Sequence, residues 1–115
     1  MTHYMNLKPT PFSLIARGLK TIELRLYDEK RKGIAVGDTL IFTNTDNSDE
    51  KLYCMVKCLH IFSSFAELYK SLPLDKCGYL PNEISNASPL DMNHYYSEDV
   101  QRECGVVGIE IKLIQ

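Results

Sequence analysis

A small α+β domain, built on a mixed, mainly antiparallel β-barrel with peripheral short helices, is the fold class this sequence predicts. Three observations lead there. Stretches with the two-residue period of a half-buried strand lie in the first half of the chain and at its end. Helix-start signals stand between and beyond them at Thr10-Pro11, Ser63-Ser64, Ser88-Pro89 and Ser97. The regular βαβ alternation of a parallel sheet is missing, and the order runs strand first and strand last. The 115 residues leave room for one core, so residues 1–115 are read as a single domain.

The elements follow in order. His3 to Lys8 is a short first strand. Thr10 caps a helix with Pro11 at its first position; Phe12, Ile15 and Leu19 recur along it, with Leu14 beside them, and Gly18 stops it. Ile22, Leu24 and Leu26 then alternate with Thr21, Glu23, Arg25 and Tyr27 as a strand. Asp28 to Gly33 reads as a loop. Gly37 supplies the positive φ of a turn before a strand over Thr39 to Thr43. The acidic stretch Asn44 to Glu50 reads as an exposed loop, and Leu52 to Phe62 as a long, bent central strand. Ser63 or Ser64 caps a helix through about Ser71, burying Phe65, Leu68 and Leu72. The residues from Leu74 to Ala87 have no period. Short helices start at Ser88-Pro89 and at Ser97, the latter stopped by Gly105, and Val107 to Leu113 closes the chain as an alternating strand.

Composition narrows the function classes. Hydrophobic residues at 44% and charged ones at 24% are ordinary for a folded domain. No apolar run approaches the ~20 residues that span a bilayer, and MTHYMNLKPTPF lacks a signal-peptide pattern, so a cytoplasmic protein without membrane contact is expected. Cys54, Cys58, Cys77 and Cys104 form no CxxC; Cys54 and Cys58 share one face of the long strand as buried free thiols. Cys104 has no neighbour in sequence to lower its pKa. His3, His60 and His94 are scattered, so neither a metal nor another cofactor is expected. There is no GxGxxG or P-loop, which leaves phosphate recognition to side chains and turn amides.

Net charge is only −2, which excludes a generally basic nucleic-acid binder. Its distribution is uneven. Residues 17 to 32 hold six basic against three acidic groups, a local +3, while the rest holds seven against twelve, a local −5. A focused positive stretch suits an anionic ligand held at one place. Within it, Glu23, Arg25 and Tyr27 share one strand face, Lys20 stands at the junction before it, and Glu23 and Arg25 are close enough to pair. Three polar groups in line need water or partners, so this face should border solvent or a pocket.

The segment Gly18 to Phe42 carries a Gly-x-Lys-x-x-Glu-x-Arg motif (Gly18, Lys20, Glu23, Arg25) followed by the Gly37-Asp38 turn into an apolar strand. Together with RLYDEKR (Arg25 to Arg31), IFSSFAEL (Ile61 to Leu68) and YYSED…CGVVGIEI (Tyr95 to Ile111), it resembles the activating signal cointegrator homology (ASCH) family. The resemblance implies a PUA-like β-barrel with a cleft lined by Lys20, Glu23 and Arg25, and an RNA-linked role. Lys20 and Arg25 would meet phosphate or carbonyl oxygens. Glu23 would accept from a base or orient Arg25. Tyr27, Tyr95 and Tyr96 would stack bases, and Ser63 and Ser64 would offer a hydroxyl or helix-start amides.

Three functions stay open at this stage. The first is binding of RNA or a small nucleotide or modified-nucleoside ligand. The second is a small amidohydrolase acting on an acylated nucleoside such as N4-acetylcytidine, which some relatives resemble, with Lys20 and Glu23 as its catalytic groups. Lys20 matches that family lysine, but Glu23 stands where a nucleophilic threonine belongs, Thr21 comes two residues early, and Glu67 suits the acid by location alone. The third is a protein-interaction domain with a vestigial cleft. Free strand edges allow either a monomer or a dimer.

Overall fold

The computed structural model describes residues 1–114. Five strands form one mixed sheet: β1 (Thr2–Leu7), β2 (Ile22–Leu26), β3 (Thr39–Asn44), β4 (Asn47–Phe62) and β5 (Val106–Leu113), in the order β1-β3-β4-β5-β2. Only β1 and β3 run parallel; the other pairs are antiparallel. The sheet curls into a half-barrel whose edge strands are β1 and β2. Helices α1 (Pro9–Ala16), α2 (Glu29–Lys32), α3 (Phe65–Ser71) and α4 (Glu98–Cys104) decorate it, and three 3₁₀ turns lie between α3 and α4. Among the described residues no helix is long and apolar enough to cross a membrane.

Both faces of the curl are covered. Inside, Met5, Leu40, Phe42, Cys54, Val56, Val107 and Ile109 pack with Phe12 and Ile15 of α1. Outside, Ile22, Leu24 and Leu26 of β2 pack with Phe65 and Leu68 of α3 and with Cys77 and Met92 from the 3₁₀ region. Gly108 permits the approach of α3: a Cβ there would lie 2.7 Å from Leu72 Cδ1 and 3.2 Å from Ile22 Cγ2.

Several expectations are corrected. The first helix starts at Pro9 with Lys8 as its cap, not at Thr10 and Pro11, and it ends at Ala16, leaving Leu19 exposed beyond it. Asp28 to Gly33 is not a loop. Asp28 caps α2, accepting from Arg31 N at 3.1 Å and Arg31 Nη1 at 2.9 Å, and basic residues fill the last turn. Asn44 to Glu50 is a hairpin, with Asn44 opposite Asn47 and the Asn44 side chain accepting from Asp46 N at 3.0 Å. This part of β4 is exposed on both faces, so no apolar alternation marks it. A register shift between Val56 and Cys58 bends β4, as its length suggests, and leaves Cys58 only half-buried while Cys54 is fully buried. All four cysteines are free.

Substituting Gly108→Val should cost about 1–3 kcal/mol by overpacking against Leu72 and Ile22. Urea unfolding measures this, and an unchanged midpoint would remove the close approach of α3 and β5 as a constraint.

Candidate functional site

The site begins with a loop that turns sharply. After α1, Leu14 O accepts from Lys20 N at 3.1 Å, and Lys76 O accepts from Thr21 N at 2.9 Å, so Lys20 is fixed where β2 starts. Along β2, Glu23 lies opposite Ile109 and Arg25 opposite Val107. Directly paired residues share a sheet face, so Glu23 and Arg25 point to the inner side of the curl. They do so at the seam, where β2 has no further strand neighbour.

Glu23 is 4% exposed. Its Oε1 pairs with Lys20 Nζ at 2.8 Å and its Oε2 with Arg25 Nε at 2.7 Å. The two cationic side chains are themselves only 11% and 15% exposed. Burial pushes the Glu23 carboxyl up, but the charges and hydrogen bonds of Lys20 and Arg25 together outweigh it and hold the group below the ordinary 4.5. Arg25 Nη2 continues across the seam and donates to the Asn6 carbonyl on β1 at 2.9 Å. One carboxylate thus serves two cations. Among the described residues Arg25 Nη1 has no partner, and Lys20 Nζ bonds only Glu23, so donors remain for a ligand.

These groups line a cleft of about 830 Å³ between the seam and the 3₁₀ region. Gly78, at φ +113°, lies against the Lys20 side chain; a Cβ would sit 3.3 Å from Lys20 Cδ. Next to it, Tyr79 donates to Asp91 Oδ2 at 2.7 Å and meets the Tyr69 hydroxyl at 2.7 Å. Burial first, and these bonds second, raise the Tyr79 phenol, which stays protonated. Cys77 in the same wall is pushed up to about 11 by burial, which makes it a poor nucleophile. Tyr96 stacks on Phe65 with centroids 6.3 Å apart, and Tyr95, 64% exposed, leans over Tyr96 at the rim.

Of the residues singled out in sequence, Lys20, Glu23, Arg25, Tyr95 and Tyr96 meet in this cleft. The others do not. Tyr27 lies beside a separate hollow of about 430 Å³ near α2, with Lys32 Nζ 5.9 Å from its ring centroid. Ser64 caps α3 by accepting from Glu67 N at 3.2 Å, Ser63 is exposed, and Glu67 is exposed beside Lys70. The cleft's Tyr69, Tyr79 and Asp91 were not anticipated. The Ser88-Pro-Leu-Asp91 capping box was a legible signal for Asp91, and it forms. Nothing in sequence ties Tyr79 to it.

A family model of the ASCH domain matches residues 5–115. No curated protein matches the chain. Among solved structures, the crystal structure of hypothetical protein PH0355 is 34% identical, with a TM-score of 0.81 over 99% of this chain and 100% of that one. Protein PF0455 from Pyrococcus furiosus, solved by NMR, is 32% identical, with a TM-score of 0.75 over 100% of this chain and 99% of that one. An ASCH protein from Zymomonas mobilis shares the fold at 11% identity and a TM-score of 0.63, over 95% of this chain and 65% of that one. With the family model covering nearly all of its length and the Gly-x-Lys-x-x-Glu-x-Arg strand set at the seam of a half-barrel, this chain belongs to the ASCH domain family.

Proposed function

We propose that the cleft binds RNA by one or a few nucleotides, or a free nucleotide or modified nucleoside of the same chemistry. The observation that carries this reading is the Lys20–Glu23–Arg25 set: two cations, one shared carboxylate, and spare donors facing an aromatic-lined cleft. A local charge of +1 suits a phosphate. Tyr95, exposed at the rim, supplies a face on which a base stacks, worth roughly 1–3 kcal/mol. The overall charge of −2 opposes a long polyanion, so few phosphates take part.

A hydrolase reading has no comparable support. Both Glu23 oxygens are engaged and its pKa is lowered, which makes the carboxylate a weak base. Glu67 stands away from the cleft.

Titration calorimetry with cytidine and adenosine 5′-monophosphates and short single-stranded RNA tests the proposal. Arg25→Ala should weaken binding by about 1.5–3 kcal/mol, the worth of a charge-assisted hydrogen bond, whereas Lys30→Ala should not. The affinity should fall with salt at a slope of about −0.7 to −1.4, as one or two phosphates require. Equal affinity for the native protein and Arg25→Ala would remove this site.

Glu23→Gln should destabilise the fold by about 3 kcal/mol, since it leaves two buried cations without their counter-charge. The sign with pH is fixed. The folded pKa of Glu23 lies below its ordinary 4.5, so its stabilisation is complete above that value and is lost as pH falls through the lower one. The stability gap between native and Glu23→Gln proteins therefore narrows on acidification below pH 4.5. Chemical denaturation across this range checks it, and a constant gap would show that the carboxylate charge is not what matters.

A further inference from the structure

The Tyr69–Tyr79–Asp91 chain in the cleft wall has a direction that the hydroxyl count alone dictates. A phenol has one proton to give and lone pairs to accept with. Tyr79 lies 2.7 Å from Asp91 Oδ2, and an ionised carboxylate only accepts, so the single Tyr79 proton goes to Asp91. The same Oδ2 accepts from Ser88 N at 3.2 Å as part of the capping box, which fixes where the carboxylate stands. The 2.7 Å contact between the two hydroxyls must then be made with the Tyr69 proton. Neither phenol has a proton left for a ligand. Both residues line the cleft, and their oxygens have only lone pairs to offer a ligand there.

We propose that Tyr69 and Tyr79 act as an acceptor-only wall that selects a ligand carrying an N–H donor, such as the exocyclic amine of cytosine or adenine, over one carrying a carbonyl there. This rests on the reading of the cleft as a nucleotide site. Lys20, Arg25, Tyr69 and Tyr79 line the same cleft of about 830 Å³. Gly78 packs on the Lys20 side chain, its Cβ position 3.6 Å from Lys20 Nζ, and Tyr79 is the next residue. A phosphate or sugar oxygen held by Lys20 and Arg25 would therefore leave a base edge facing the phenols. A cytosine amine gives them a proton; a uracil carbonyl sets oxygen against oxygen with no proton between, and each loses its water without replacement.

The test is calorimetry with two matched pairs, cytidine against uridine 5′-monophosphate and adenosine against inosine 5′-monophosphate. The amino-bearing member of each pair should bind at least about tenfold tighter, as an unpaired buried polar contact requires. Tyr79→Phe removes the acceptor of the Tyr69 proton and frees that hydroxyl to donate. The cytidine preference should then fall below about threefold while binding of ribose 5-phosphate is retained. Tyr69→Phe should lower cytidine monophosphate toward the uridine affinity. A native protein that binds both members of a pair equally, with binding still lost in Arg25→Ala, overturns the inference and leaves the nucleotide site standing. Absence of binding by all four nucleotides overturns both. An unchanged preference in Tyr79→Phe also refutes the inference, and the native comparison decides alone if that variant does not fold.

Discussion

The seam between β1 and β2 is where this fold is least self-sufficient, and a single buried carboxylate holds it. An open sheet leaves two edges with unpaired backbone groups. Here they are joined not by a ladder but by a side chain: Arg25 leaves β2, pairs with Glu23 on the way, and ends on the Asn6 carbonyl of β1. A guanidinium at 15% exposure would be costly without a counter-charge, and Glu23 supplies it. Lys20 uses the other oxygen of the same group. Removing Glu23 would therefore release both cations and the bridge between the sheet edges.

That arrangement turns an unclosed barrel into a cleft. Where a backbone ladder would have sealed β1 to β2, a side-chain bridge leaves space on the side facing the 3₁₀ region. The region from Leu74 to His94 forms the opposite wall, held by the cap of Ser88 and by Asp91, which serves both the turn and Tyr79. Gly78 matters here for two reasons at once. Its φ of +113° suits few other residues, and its missing side chain lets Lys20 lie against the wall while the ammonium reaches Glu23.

Sequence reading succeeded where burial is periodic and failed where it is not. The apolar positions of β2, of β5 from Val107 onward and of the middle of β4 repeat every second residue, and all three strands were legible. Glu23 and Arg25 were legible as a same-face pair for the same reason. Their depth was not. Alternation distinguishes the two faces of a strand but not whether the polar face also turns inward, and in β2 it does. The four-residue α2 has no apolar face, so only the Asp28 cap could have marked it. The first turns of β4 stand clear of the core, and polar residues on both faces resemble a loop. Of the cleft wall only the helix start at Ser88-Pro89 was legible, because 3₁₀ turns tied by phenol hydrogen bonds carry no period to detect. Tyr27 was misplaced for a related reason: it continues the face of Arg25, but β2 ends at Leu26, and the ring packs beside α2 instead.

The same physics separates holding a ligand from transforming one. A general base works best with a free lone pair and a pKa near the working pH. Glu23 falls short on both counts: each oxygen is already engaged by a cation, and its neighbours pull its pKa down against the effect of burial. Its value to the site is that it stays charged. A charged Glu23 holds Lys20 and Arg25 together with donors to spare, so in the proposed nucleotide site a phosphate would meet a preorganised pair rather than two mobile side chains. Pairing cations tightly enough to preorganise them thus removes the carboxylate from chemistry. In the proposed site, the residue that holds both cations is for that reason poorly suited to act as a base.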